Sequence, residues 1–128
     1  MNEVKAGDLL AVYGTLRGEG RMPMVKPRGT GTVVGKLLHL GGFPGLIQTN
    51  EDKEVVVEVY EIEHPSLVTG RLDSYEGYRP SDEDGSMYVR RKVQVAMPDG
   101  EDLTAWVYIW NRDQKHRVIE SGDWFRRD

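Results

Sequence analysis

At 128 residues the chain has the length of one ordinary domain, enough to bury a hydrophobic core without disulfides or a structural metal. Hydrophobic residues make up 38% and charged residues 30%, an apolar content above that of disordered chains, so the chain is expected to fold. Zero cysteines exclude disulfides, thiolate zinc sites and cysteine nucleophiles and fit a reducing, cytoplasmic setting, while a net charge of −4 with scattered basic residues argues against a nucleic-acid partner.

Met1 to Asp8 carries three charges and lacks the apolar segment of a signal peptide, and no stretch approaches the length of a membrane span, so neither secretion nor a membrane partner is expected. Leu9, Leu10, Ala11, Val12 and Tyr13 form an apolar run halted at Gly14, which predicts a buried strand feeding a glycine turn. A second strand is predicted over Thr30 to Leu40, punctuated by Gly31 and Gly35 and followed by the tight loop Gly41-Gly42-Phe43-Pro44-Gly45. Leu46 and Ile47 begin a third strand. Val55 to Ile62 has the β-branched density of a fourth, with Val55, Val57 and Val59 on one face.

Pro65 suits the first turn of a helix in which Leu67, Val68, Leu72 and Tyr75 recur at helical spacing until Gly77 supplies the stop, so the helix is predicted to end at Glu76. Arg79 to Ser86 is a polar loop. Met87 to Met97 then alternates, with Met87, Val89, Val93, Val95 and Met97 facing inward, and Pro98-Asp99-Gly100 turns it into a partner strand from Leu103 to Trp110. The basic runs Arg90-Arg91-Lys92 and Arg126-Arg127 read as solvated strand and tail positions. Lys115 to Phe125 is expected to hold a short helical turn and a docked Trp124. No repeat or linker interrupts the chain, so residues 1–128 are expected to form one domain, about six strands and one short helix in a small β-barrel or curled mixed sheet, an α+β fold.

His39, His64 and His116 are scattered, without metal-ligand spacing, so no metal is expected. The glycines from Gly29 to Gly35 precede a strand instead of opening a helix, so they relieve strand curvature and no cofactor is expected. No Gly-x-Ser-x-Gly elbow surrounds a serine. Asp73 and Glu76, spaced i,i+3, can share one helix face, but carboxylates on adjacent turns of one helix are too close to flank a sugar bond from opposite sides.

Glu76 by itself is the stronger candidate. In the last turn of a helix its ionised form meets the negative end of the dipole, and burial there would raise its pKa toward the range of a general acid/base. Merely solvated glutamates at helix ends are common, and the local pattern leaves both readings open. Successive backbone N–H groups at Tyr13-Gly14-Thr15-Leu16 could cradle a carboxylate or an oxyanion, or form nothing more than a turn.

In order along the chain, Val12-Tyr13-Gly14-Thr15-Leu16-Arg17, Gly41-Gly42-Phe43-Pro44-Gly45-Leu46, Leu72-Asp73-Ser74-Tyr75-Glu76-Gly77 and Tyr88-Val89-Arg90 resemble the gamma-glutamylcyclotransferase-like (AIG2-like) family. The resemblance extends to Ala105-Trp106-Val107-Tyr108-Ile109 and Ser121-Gly122-Asp123-Trp124. It implies a small mixed β-barrel with a few short helices and release of 5-oxoproline from a gamma-glutamyl amine or amide, without cofactor or metal. Glu76 would be the catalytic glutamate, Tyr13, Gly14, Thr15 and Leu16 would hold the glutamyl part of the substrate, and the Tyr88 hydroxyl would help to line the pocket.

The chain departs from the family pattern in two places. After Leu16 it reads Arg17-Gly18-Glu19-Gly20-Arg21-Met22-Pro23-Met24 where members often carry asparagine or histidine, so the pocket rim is expected to accept a different leaving group. The acidic segment Ser81-Asp82-Glu83-Asp84-Gly85 is expected to be a solvated loop rather than a lid. Two further functions stay open: a small-molecule binding protein of the same fold without turnover, and a partner-binding domain using Trp106, Tyr108 and Trp110 as a sticky patch, against which burial preference places those aromatics inside the fold. The oligomeric state is open.

Overall fold

The computed structural model describes residues 3–17 and 25–127. Five strands close a barrel: β1 (Leu9–Val12), β5 (Glu54–Ile62), β2 (Val25–Val34), β6 (Tyr88–Ala96) and β7 (Asp102–Trp110), in that order. The ring closes through a parallel pairing of β1 with β7, and the other neighbours are antiparallel. A side sheet is built from β4 (Pro44–Ile47), β3 (Lys36–His39) and β8 (Arg117–Val118). The mixed barrel and its short helices are the α+β architecture expected of the chain.

Val55, Val57 and Val59 do share one face, fully buried against the Val33 side of β2. The run from Thr30 to Leu40 is not one strand. It breaks at Gly35, where a Cβ would lie 2.6 Å from the Ile47 carbonyl oxygen and 2.8 Å from Leu46 Cδ1, so the chain leaves the barrel and enters the side sheet at the one residue that fits against β4. β2 also reaches back to Val25 through a register irregularity between Pro27 and Gly29, with Gly29 at φ +129.

The long hairpin forms, but its burial differs from the expected alternation. Val89 and Val95 are buried as predicted, whereas Met87 is exposed and Tyr88 and Arg90, on the opposite face, are buried. At the start of the strand that face is covered, by the side sheet at Tyr88 and by the helix at Arg90, whereas Lys92, Gln94 and Ala96 farther along it are exposed. Trp106 and Tyr108 on β7 are buried there as well, so two of the three hairpin aromatics pack inside the fold and offer no sticky patch.

The helix begins near Pro65, passes through a π-helical stretch (Leu67–Leu72) and finishes as one α-turn, α1 (Asp73–Tyr75). Within the π stretch the Asp73 N–H bonds the Val68 carbonyl, five residues back. The wider turn advances the buried stripe from Val68 to Asp73 and leaves Tyr75, expected on the apolar face, turned outward. At the carboxyl end a final 3₁₀ turn (Trp124–Arg126) buries Trp124 against the His39 ring, centroids 5.4 Å apart, as the docked tryptophan was expected to be. Among the described residues no helix is long and apolar enough to cross a membrane.

Candidate active site

A cavity of about 400 Å³ opens where β1 ends, bounded by the turn after β1, the loop into β4, the end of α1 and the start of β6. It brings together Tyr13, Gly14, Thr15, Leu16, Glu76 and Tyr88, all the residues singled out from the sequence. Its size is that of a small-molecule site.

The turn after β1 is closed by the Arg17 N–H donating to the Gly14 carbonyl at 3.0 Å. Gly14 must be glycine, because a Cβ would stand 2.6 Å from Pro44 Cγ and 2.8 Å from Cδ, inside van der Waals contact. The backbone N–H groups of Gly14, Thr15 and Leu16 meet no acceptor among the described residues, so they are donors on offer at the cavity wall. The Tyr13 hydroxyl is committed to the scaffold: it donates to the Tyr108 carbonyl at 2.6 Å and accepts from the Leu46 N–H at 3.1 Å, tying β1, β7 and β4 together. What Tyr13 gives the cavity is its backbone and ring. Tyr88 likewise donates its hydroxyl hydrogen to the Pro44 carbonyl at 2.6 Å and keeps only lone pairs for a ligand.

Glu76 stands where the helix ends. Gly77, at φ +67, donates its N–H to the Ser74 carbonyl at 3.1 Å, and the Tyr78 N–H reaches the Asp73 carbonyl at 2.8 Å, a Schellman cap. The predicted stop therefore falls where expected. The half-buried Glu76 carboxyl makes no hydrogen bond or ion pair with any described residue. Burial pushes it up to about 7. The cause is desolvation, the burial on which the sequence reading made the shift depend. Burial, and then the neighbouring Glu76 charge, holds the Tyr88 hydroxyl well above its ordinary value, so it stays neutral.

Asp73 has a different fate. It is buried, with its carboxylate gripped by Arg90 through Nε at 2.9 Å and Nη2 at 3.0 Å and by the Tyr108 hydroxyl at 2.6 Å. Arg90, read as a solvated strand position, is only 1% exposed, because its guanidinium satisfies this buried carboxylate and lies 4.7 Å from the Trp106 ring centroid. The two carboxylates are thus not a catalytic pair. Arg17 turns away from the cavity to bond Glu58 at 3.2 Å and Asp123 at 2.7 Å, fastening the carboxyl-terminal turn to the loop after β1. Arg127, read as a solvated tail position, has its guanidinium 4.2 Å from the Trp124 ring centroid.

Residues 18–24, expected to shape the pocket rim, lie outside the described residues. In the acidic loop Ser81, Asp82 and Asp84 are exposed as expected, but Glu83 is held by Arg91 at 2.7 Å and by the Tyr78 hydroxyl at 2.7 Å. The loop does not line the cavity. Among the described residues no three His, Asp or Glu side chains converge as metal ligands. Sequence reasoning missed Phe43, Pro44, Tyr75 and Met87 as cavity-lining residues. The glycines around Phe43-Pro44 were the available signal for the first two, since a tight loop beside a strand end is a natural pocket wall.

The small mixed barrel sets a carboxyl unpaired among the described residues across a cavity from an amide-lined turn, in a space the size of a small molecule. The chain belongs to the family described as gamma-glutamyl cyclotransferase, AIG2-like, which matches residues 10–126. It is 32% identical to a Vibrio cholerae protein provisionally named a gamma-glutamylcyclotransferase, over 93% of this chain and 96% of that one. A relative from Methanocaldococcus jannaschii with the same provisional name is 28% identical over 68% of this chain but 65% of its own length. Among solved structures, an uncharacterized protein of Pyrococcus horikoshii superposes with a TM-score of 0.58 at 27% identity, covering 91% of this chain and 89% of that one. An AIG2-like protein of Mus musculus superposes with a TM-score of 0.69, covering 91% of this chain and 88% of that one, and at 22% identity it bears on the fold alone.

Proposed function

We propose that the protein is a gamma-glutamyl amine or amide cyclotransferase, releasing 5-oxoproline and a free amine, with Glu76 as the proton carrier. The observation that carries this reading is a carboxyl pushed up to about 7 in the same cavity as the amide donors of Gly14 to Leu16, both without partners among the described residues. A carboxylate without a counter-ion in such a place accepts a proton readily and returns it near neutral pH.

Ionised Glu76 takes a proton from the substrate's α-ammonium. The freed amine attacks the γ-carbonyl carbon of the same molecule, and the oxyanion or the substrate carboxylate is received by the backbone donors of the turn. Collapse breaks the bond to the leaving nitrogen as Glu76 hands its proton over. Of the protons on the α-nitrogen, one stays in the lactam and the rest reach the released amine, which departs as an ammonium. No water and no second reactant enter. The protein's main contribution is to hold the extended γ-glutamyl chain curled into its near-attack shape, which converts binding energy into rate.

The test is to incubate the protein with a panel of gamma-glutamyl amides and measure 5-oxoproline beside the Glu76→Gln variant. Turnover by the parent and its loss in the variant support the reading. Full turnover in the variant removes Glu76 from the mechanism. Ligand-induced thermal stabilisation without any 5-oxoproline, across the panel, would instead make the chain a binding protein of this fold.

A further inference from the structure

The amide donors at the cavity wall sit on a loop, and a loop keeps its amides in place only where both of its ends are fixed. One end is Val12, the last residue of β1, which pairs in register with Glu58 of β5. The chain runs out through Tyr13 to Leu16 and comes back at Arg17, whose Nε donates to Glu58 Oε2 at 3.2 Å. The segment therefore leaves and returns at one residue of β5. A side chain closes it across the base, and the Arg17 N–H on the Gly14 carbonyl closes it within.

The closure is braced from the far end of the chain. Arg17 is buried, and its Nη1 donates to Asp123 Oδ1 at 2.7 Å while its guanidinium lies 4.0 Å from the Phe125 ring centroid. Glu58 is steadied in turn by the Tyr60 hydroxyl, which donates to its Oε1 at 2.9 Å. Asp123 is placed independently of Arg17. Beside it the Gly122 carbonyl accepts the Val56 N–H at 2.8 Å, and a Cβ on Gly122, at φ +69, would run into the Glu54 carbonyl oxygen, so only glycine lets this turn press against β5. Trp124 on its other side is buried, and the Asp123 carboxylate itself accepts the Phe125 N–H at 2.9 Å. A buried guanidinium between two carboxylates has little room to move, because a shift that leaves a charge uncompensated in a dry place is costly. Neither Arg17 nor Asp123 lines the cavity, so any effect they have on a ligand passes through the turn.

We propose that Arg17 is a positioning residue, and that the carboxyl-terminal turn braces the donor amides of Gly14 to Leu16 through the Asp123–Arg17 pair. The use of this brace rests on the cyclotransferase reading, in which those amides receive the oxyanion or the substrate carboxylate. The brace itself can be measured without turnover. Donors fixed in advance need no reorganisation as charge develops, and a misplacement of about 1 Å can cost about 10²-fold in rate.

Four variants of the full chain test it: Arg17→Met, Arg17→Lys, Asp123→Asn and, as a control, Arg127→Ala. The control loosens the same turn from its far side, where Arg127 Nη1 donates to the Trp124 carbonyl at 2.7 Å, and leaves the Asp123–Arg17 pair intact. On a gamma-glutamyl amide, kcat/KM is expected to fall about 10²-fold in Arg17→Met and about three- to tenfold in Asp123→Asn, and to stay within about twofold in the control. Arg17→Lys restores the charge but not the fork that reaches two carboxylates, so it should recover more of the melting midpoint lost in Arg17→Met than of the lost kcat/KM. By NMR relaxation, the amide order parameters of Thr15 and Leu16 should drop from the rigid value of about 0.85 toward about 0.6 in Asp123→Asn and Arg17→Lys. Unchanged order parameters in both variants overturn the proposal, whatever the turnover. So does a control that loses as much activity as Asp123→Asn, since activity would then follow stability alone. If Arg17→Met does not fold, Arg17→Lys and Asp123→Asn carry the test. A parent that forms no 5-oxoproline removes the cyclotransferase reading, and the order parameters then decide the brace by themselves.

Discussion

Asp73 and Glu76 are carboxylates one turn apart on the same short helix, and the fold treats them in opposite ways. Asp73 is buried beneath the helix and meets two guanidinium nitrogens and a tyrosine hydroxyl, so its charge is satisfied and spent on structure. Glu76 has lost much of its water and gained no partner among the described residues, so its charge is costly and available. Burial with compensation makes a structural carboxylate; burial without it makes a candidate for proton transfer.

The largest effect that tests this contrast is on turnover. Glu76→Gln keeps the shape of the side chain and removes the proton carrier, with an expected loss of roughly 10² to 10⁴ in kcat/KM on a gamma-glutamyl amide. With the ionised form starting the reaction as proposed, the parent's kcat/KM should rise with pH and level off above about 7. A flat profile from pH 5 to 8 would uncouple Glu76 from the chemistry.

Next in size is the structural partner. Asp73→Asn leaves the Arg90 guanidinium buried without its counter-charge, and such a break costs about 3 to 5 kcal/mol. Urea unfolding of the variant should show that loss. A cost below about 1 kcal/mol would mean that water reaches Arg90 and that the pair is not the clasp described.

The two sites also respond oppositely to substitution at alkaline pH. The folded Glu76 titrates near 7 against an ordinary 4.5, so its contribution is fully present below 4.5 and is lost as pH rises through about 7. Replacing it with glutamine should therefore stabilise the protein at pH 8 relative to pH 4, by at most about 3 kcal/mol and less to the extent that cavity water screens the charge. Thermal melts of parent and variant at the two pH values measure it. A difference between the proteins that is the same at both would show that Glu76 is not desolvated.

Local signals made half of this contrast legible. Gly77 after Glu76 is a helix stop written in one residue, and the glycine turn after Tyr13 announces itself in the same way, so the ends of two elements that meet at the cavity could be placed from sequence. The Asp73 half was hidden because its partner lies 17 residues away on a strand, inside a basic run that reads as solvated. Tyr75 misled for a different reason: the π turn changes the helical phase, and a 3.6-residue period cannot foresee it. The break of β2 from β3 depended on Gly35 lying against β4, a contact between segments that no window along the chain contains.

The smallest predicted effect separates two hydroxyls. The Tyr108 hydroxyl donates to the charged Asp73 at 2.6 Å, whereas the Tyr88 hydroxyl donates to the neutral Pro44 carbonyl at the same distance. Bonds to ionised acceptors are about twice as strong as neutral ones, so Tyr108→Phe should cost about 2 to 3 kcal/mol and Tyr88→Phe about 1. The neutral bond nevertheless stands in the cavity wall and positions the Pro44 loop against Gly14. Tyr88→Phe should therefore raise KM for a gamma-glutamyl amide while lowering the unfolding midpoint by less than Tyr108→Phe, whose larger loss of stability should come with the smaller change in KM. If both variants lost stability and affinity in the same proportion, the division between a clasp built on Asp73 and a working pocket built around Glu76 would not hold.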